Sequence, residues 1–216
     1  MKHHRSASVA IALVLAGLLL WPAITLAQLG GLLPPPPTSG TSTSTVTGQA
    51  TAAQVTVLGL LGTATTTTLG STGISATNAE SDVGQDTGSV PSLLGAEVLN
   101  ASTYSYSNEV DSVASLANLG MTVAGITISA DSVTSQASQV QGAAGSGTST
   151  ITNLAINGVP VTATGDPNQV VAIPGGQITL NEQTISSTGS VVVNAVHVVV
   201  NGVADVVLAS ATAGIS

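Results

Sequence analysis

The chain contains no cysteine and no phenylalanine, and its 216 residues include only two lysines and arginines against ten aspartates and glutamates. Both cations, Lys2 and Arg5, stand at the N-terminus, so residues 28–216 carry neither lysine nor arginine. Each absence closes off a class of function. Without cysteine there is no disulfide framework and no thiolate chemistry. Without fixed cations, phosphates cannot be neutralised, which excludes nucleic acid as a partner and polybasic docking onto anionic lipid. Schiff-base chemistry and lysine-linked crosslinking are excluded on the same ground. Beyond residue 27 the aromatics are reduced to Tyr104 and Tyr106, which leaves little of the stacking surface on which sugar sites lean.

The two cations precede an apolar run from Val9 to Leu20, which is followed by Trp21, Pro22 and the small-residue exit Thr25-Leu26-Ala27. A positive n-region, an apolar h-region and a small-x-small exit predict a secretory signal peptide over residues 1–27. The alternative is a retained anchor, because Val9 to Ala27 approaches the roughly 20 residues that span a bilayer. If the signal is removed, the mature chain begins near Gln28 and does not insert into the membrane. Residues 28–48 change composition to a Pro/Ser/Thr-rich linker, with four consecutive prolines that favour polyproline II and nothing to bury. Residues 49–216 read as a single all-β extracellular domain.

In that domain Val, Ile, Thr, Ser, Ala and Gly alternate in short runs that end in turn residues, a strand vocabulary. Asn157-Gly158 and Asn201-Gly202 predict two-residue hairpin turns of type I′, which need positive φ at both central positions. Pro174-Gly175 predicts a further tight turn. Aligned on Gly62, Gly95, Gly125, Gly158 and Gly202, the chain shows a repeated unit of hairpin length. Helical periodicity is weak; the best candidate, Asn108 to Leu119, is short and rich in serine. The expected architecture is an antiparallel β-sandwich built from repeated hairpins. A β-solenoid is the alternative, disfavoured because Asn-Gly turns join antiparallel neighbours. Val191–Val200 and Val203–Leu208 are apolar on both faces and should form the buried centre. Pro160, lacking an amide donor, belongs at an edge.

Candidate chemistry is sparse. Glu80, Asp82 and Asp86 cluster in a Gly/Ser/Asn-rich stretch expected to be a loop, where carboxylate and carbonyl oxygens suit calcium; Glu109 and Asp111 form a second, looser acidic group. The spacing does not match a twelve-residue calcium loop, and solvated acids are the plainer reading. Across a two-residue turn at 201–202, His197 would lie opposite Val206, with Asp205 on the other face. The nearest acid would then be unable to orient the imidazole, which argues for a structural histidine and no catalytic residue.

Three C-terminal segments, TNLAINGVPV, DPNQVVAIPGGQITLNEQ and AVHVVVNGVADVVLASATAGI, resemble the bacterial secreted domains of the choice-of-anchor P family. The likeness is densest over 149–216 and looser back to Gly48. It implies an exported or surface location and no assigned activity. The combined expectation is a non-enzymatic, exported bacterial structural or adhesive protein of the cell surface or matrix. Its partner would be a surface component or a second copy of itself. The alternative is an extracellular module that binds calcium or carbohydrate.

Overall fold

The computed structural model describes residues 44–59 and 62–216; the expected signal peptide and most of the expected linker lie outside them. Thirteen strands and no helix make up the described residues: β1 (Val46–Leu58), β2 (Ala64–Ser71), β3 (Ala79–Val90), β4 (Leu94–Ser105), β5 (Glu109–Val123), β6 (Ile126–Val140), β7 (Ser146–Thr152), β8 (Ala155–Ile156), β9 (Val159–Pro160), β10 (Gln169–Ile173), β11 (Gly176–Ile185), β12 (Val191–Val200) and β13 (Ala204–Ile215). The first strand starts at Val46, inside the stretch read as linker, because Val46 is already buried against the core. Asn108 to Leu119, the best helical candidate, falls mostly in β5, where its alternating apolar residues Val110, Ala114 and Leu116 point into the core.

The strands form two antiparallel sheets packed face to face. A six-stranded sheet has the order β10-β11-β12-β13-β1-β2, and a seven-stranded sheet the order β3-β4-β5-β6-β8-β9, with β7 also paired to β6. This is the expected sandwich, and the pairing is not that of a solenoid. β12 and β13 occupy the centre of the six-stranded sheet, and β13 packs on β5 and β6. Pro160 lies on β9, at an edge, as its missing donor requires. Ala124 and Gly125 close the β5–β6 hairpin and Asn157 and Gly158 the β8–β9 hairpin, all four at positive φ, the type I′ signature. Pro174-Gly175 joins β10 to β11, with Gly175 at φ 75°.

Both sheets are creased across the middle of their strands. In the six-stranded sheet, four of the five ladders skip one position, at Asn181, Ala195, Ala209, Ala52 and Gly70, while the short β10–β11 ladder is continuous. Asn181, Ala209 and Gly70 have positive φ, at 49°, 48° and 54°. Along every crossing strand the inward phase therefore changes: Ala195 and Val196 are both fully buried, as are Leu208 with Ala209 and Ala52 with Ala53. This phase change explains why β12 reads as apolar on both faces. Its inward residues are 191, 193 and 195 before the crease and 196, 198 and 200 after it. The seven-stranded sheet has the same skips at Val98, opposite Asp86, and Asn118, opposite Asp131, with φ 49° and 47° at Val98 and Asn118, and between them β4 and β5 also shift register.

Near the chain's two described ends the core becomes polar. Thr72 and Thr103 share a hydroxyl bond of 3.2 Å, Thr103 and Ser112 one of 3.3 Å, and Ser112 donates to the Thr212 carbonyl at 2.7 Å, linking the two sheets. Buried Gln139 accepts from the Ile215 amide at 2.9 Å and donates to the carbonyls of Ala143 and Thr188, so its amide is satisfied at both ends.

Candidate functional site

The β12–β13 connection is the place where the structure corrects the sequence reading. Val200 pairs with Ala204, leaving the three residues Asn201, Gly202 and Val203 in the loop. The Val203 amide bonds the Val200 carbonyl at 3.0 Å, and Gly202 alone has positive φ, at 70°. That is a type II turn followed by one extra residue, in place of a two-residue type I′ turn. The added residue moves the register by one, and a one-residue slip sends every side chain to the other face. His197 consequently faces Val207, and Asp205 faces Val199 on the same side of the sheet as the imidazole. Asp205 does reach the ring: Nε2 lies 3.0 Å from its Oδ1.

The second ring nitrogen is also held. His197 Nδ1 lies 2.9 Å from Glu182 Oε2, and Asn194 Nδ2 donates to the same oxygen at 2.6 Å. Glu182 pairs with Asn194 and His197 with Thr179, so Glu182 reaches diagonally over the crease to its ring. Burial of the imidazole works against its charged form, but the hydrogen bond and charge of Glu182, and then those of Asp205, outweigh it and raise its pKa above the ordinary histidine value. With a carboxylate at each nitrogen, the ring when protonated donates to both and sets a positive charge between Glu182 and Asp205. Nothing in the sequence points to Glu182 as the partner, because the partnership depends on the β11–β12 register across a crease.

The crease opens a trough beside this bridge. Where two successive residues point inward, the outward rows on either side stand further apart than in a regular strand. On the outer face of the six-stranded sheet those rows are Thr51, Asn194 and Ser210 on one side and Gln54 and Val207 on the other. Gln49 and Thr212 extend the lining of a cavity of about 240 Å³. Its side chains are amides and hydroxyls with a single valine, and the Glu182–His197 pair stands at its β11 end.

The acidic residues singled out from sequence are elsewhere. Glu80, Asp82 and Asp86 lie on β3, an edge strand, and not in a loop. Glu80 and Asp82 project on one face beside Tyr104 and Ser102, while Asp86 occupies the skipped ladder position opposite Val98. The charges of Asp82 and then Glu80 raise the Tyr104 phenol above its ordinary pKa. Among the described residues no three of His, Cys, Asp and Glu gather as a metal-ligand set, so the structure does not bring Glu80, Asp82 and Asp86 together for calcium. Asp111 pairs with Tyr104 from the other side, on β5.

What the fold and surface define is a class: an antiparallel sandwich with polar outer faces that carry no lysine or arginine. Comparisons with family models, curated proteins and solved structures give no match.

Proposed function

We propose that the protein is a non-enzymatic, exported structural or adhesive component of a bacterial surface or extracellular matrix. The observation that supports this most is the form of its surface: two broad sheet faces displaying Thr, Ser, Asn, Gln and carboxylates on rigid ladders. Such faces suit contact with a macromolecule over a wide area better than enclosure of a small substrate. The export-type N-terminus and the resemblance to choice-of-anchor domains support the location. Electron microscopy of the exported chain at neutral pH, with and without millimolar calcium, tests the reading: ordered assemblies, or decoration of a cell surface, are expected. Turnover of any substrate in a broad hydrolase panel would overturn it.

The trough supports a second reading, an extracellular carbohydrate-binding module. Its amide and hydroxyl lining offers paired donors and acceptors to neutral sugar hydroxyls and, beside Glu182 and Asp205, disfavours anionic ones. Under that reading neutral oligosaccharides raise the melting temperature, and Ser210→Tyr, which fills the trough, abolishes the rise. Unchanged melting in mixed neutral glycans counts against it.

A further inference from the structure

The open sheet edges of this sandwich are unequally protected. Unpaired backbone groups on an edge strand are a template for another strand, and proteins block them with charge, proline, shortness or a bulge. In the seven-stranded sheet both ends of the strand path are blocked, and β7, an uncharged edge off that path that pairs only with β6, has its Gly147 carbonyl taken by the Gln183 side chain at 3.0 Å. β3 carries Glu80, Asp82 and Asp86, and β9 is two residues long and ends in Pro160. In the six-stranded sheet neither end carries a charged residue or a proline: β2 is ATTTTLGS and β10 is QVVAI. β10 exposes Val170 at 58%. Four successive threonines on β2 have high strand preference and are largely exposed.

Strand parity then selects how these two edges meet. The six-stranded sheet is antiparallel at every step. With an even number of strands, β10 and β2 run in opposite directions. A second copy displaced by one sheet width therefore presents its β10 antiparallel to β2 of the first, and the sheet continues without a change of pattern. The contact is heterologous, so it repeats from copy to copy, and the ordinary strand twist turns the row into an open helical filament instead of a closed ring. Charge agrees with this choice of edges. For a chain of formal net charge −8, copies can approach only where neither side brings a carboxylate into the junction, and β2 with β10 is such a pair.

We infer that the protein assembles head to tail through main-chain pairing of β2 of one copy with β10 of the next, extending its six-stranded sheet. The inference deepens the structural reading above and rests on it for location only. Its test uses two single substitutions of the exported chain, Thr68→Glu on β2 and Val170→Glu on β10. Both positions are exposed, and unchanged circular dichroism and melting temperature confirm that each variant folds. Sedimentation velocity and electron microscopy over a concentration series read the outcome. The natural chain is expected to form filaments, each variant alone to remain monomeric, and an equimolar mixture to form dimers and nothing longer, because only one junction in the mixture is free of the new charge. Two results would overturn the inference. A natural chain that stays monomeric at the highest concentration would do so while leaving an adhesive role intact. Dimers of T68E alone would indicate a two-fold β10-to-β10 contact instead.

Discussion

At the scale of single residues, the energetics turn on a few side chains held in unusual settings. Val98 is β-branched yet sits at φ 49°, and its side chain is 54% exposed. A non-glycine residue in the left-handed region costs on the order of 1–2 kcal/mol, and little burial offsets it here. Val98→Gly should therefore stabilise the fold by about 1 kcal/mol after glycine's greater loss of backbone freedom. Urea melting checks this, and a lower midpoint would show that the valine packs against something it is needed for. His197 gives the second residue-scale prediction. Its folded pKa is raised by Glu182 and Asp205 against the opposing effect of burial. The stability it contributes is therefore fully present below the unfolded value, about 6.5, and is lost as pH rises through the folded pKa. The melting-temperature gap between the natural chain and His197→Gln should be wider at about pH 6 than at about pH 8.5. A gap that widens toward alkaline pH would contradict the role of the protonated ring between the two carboxylates.

At the scale of elements, strands and hairpins follow from alternation and turn chemistry, whereas the crease does not. The Asn157-Gly158 and Pro174-Gly175 turns were legible because Asn-Gly and Pro-Gly each demand a particular backbone, and nothing nearby competes. Asn201-Gly202 carries the same dipeptide as the first, yet closes a longer loop. There the amide of Asn201 bonds the Gly175 carbonyl and the carbonyl of Val203 accepts from the Leu58 amide, so neighbouring hairpins hold the turn in another form. The consequence reached the candidate site directly, since one residue of register decides whether Asp205 meets His197. Pairs such as Ala52-Ala53, Ala195-Val196 and Leu208-Ala209 do mark the crease in sequence. They read as strands with two apolar faces until the aligned skips in the neighbouring ladders show a phase change. Leu208 sits at this crease, fully buried between the sheets. Leu208→Ala should cost about 2–5 kcal/mol, measurable by denaturant melting. A cost below about 1 kcal/mol would mean that the crease collapses to fill the space.

At the scale of the whole molecule, charge and topology act together. With ten carboxylates and two cations in the chain, both near its start, self-repulsion should be relieved by screening. Melting temperature should then rise as sodium chloride is taken from about 10 mM to about 300 mM, over which the Debye length falls from about 30 Å toward a few ångströms. A fall would mean that the Glu182–His197–Asp205 bridge outweighs the general repulsion. The same imbalance sets which edges can approach: sequence places Glu80, Asp82 and Asp86 close together, and topology puts that strand at an edge.

Sequence alone determined the all-β class, the antiparallel hairpins, the want of any cation to bind phosphate, and the edge position of Pro160. These depend on properties that a residue carries with it: charge, donor count, permitted φ and alternation. The tertiary structure alone decided the register of β12 on β13, the meeting of Glu182, His197 and Asp205, the trough along the crease, and which strands stand at the two edges of the six-stranded sheet. Each of these depends on contacts between segments distant in the chain, where the requirements of several neighbouring strands are satisfied at once and override what any one turn would adopt by itself.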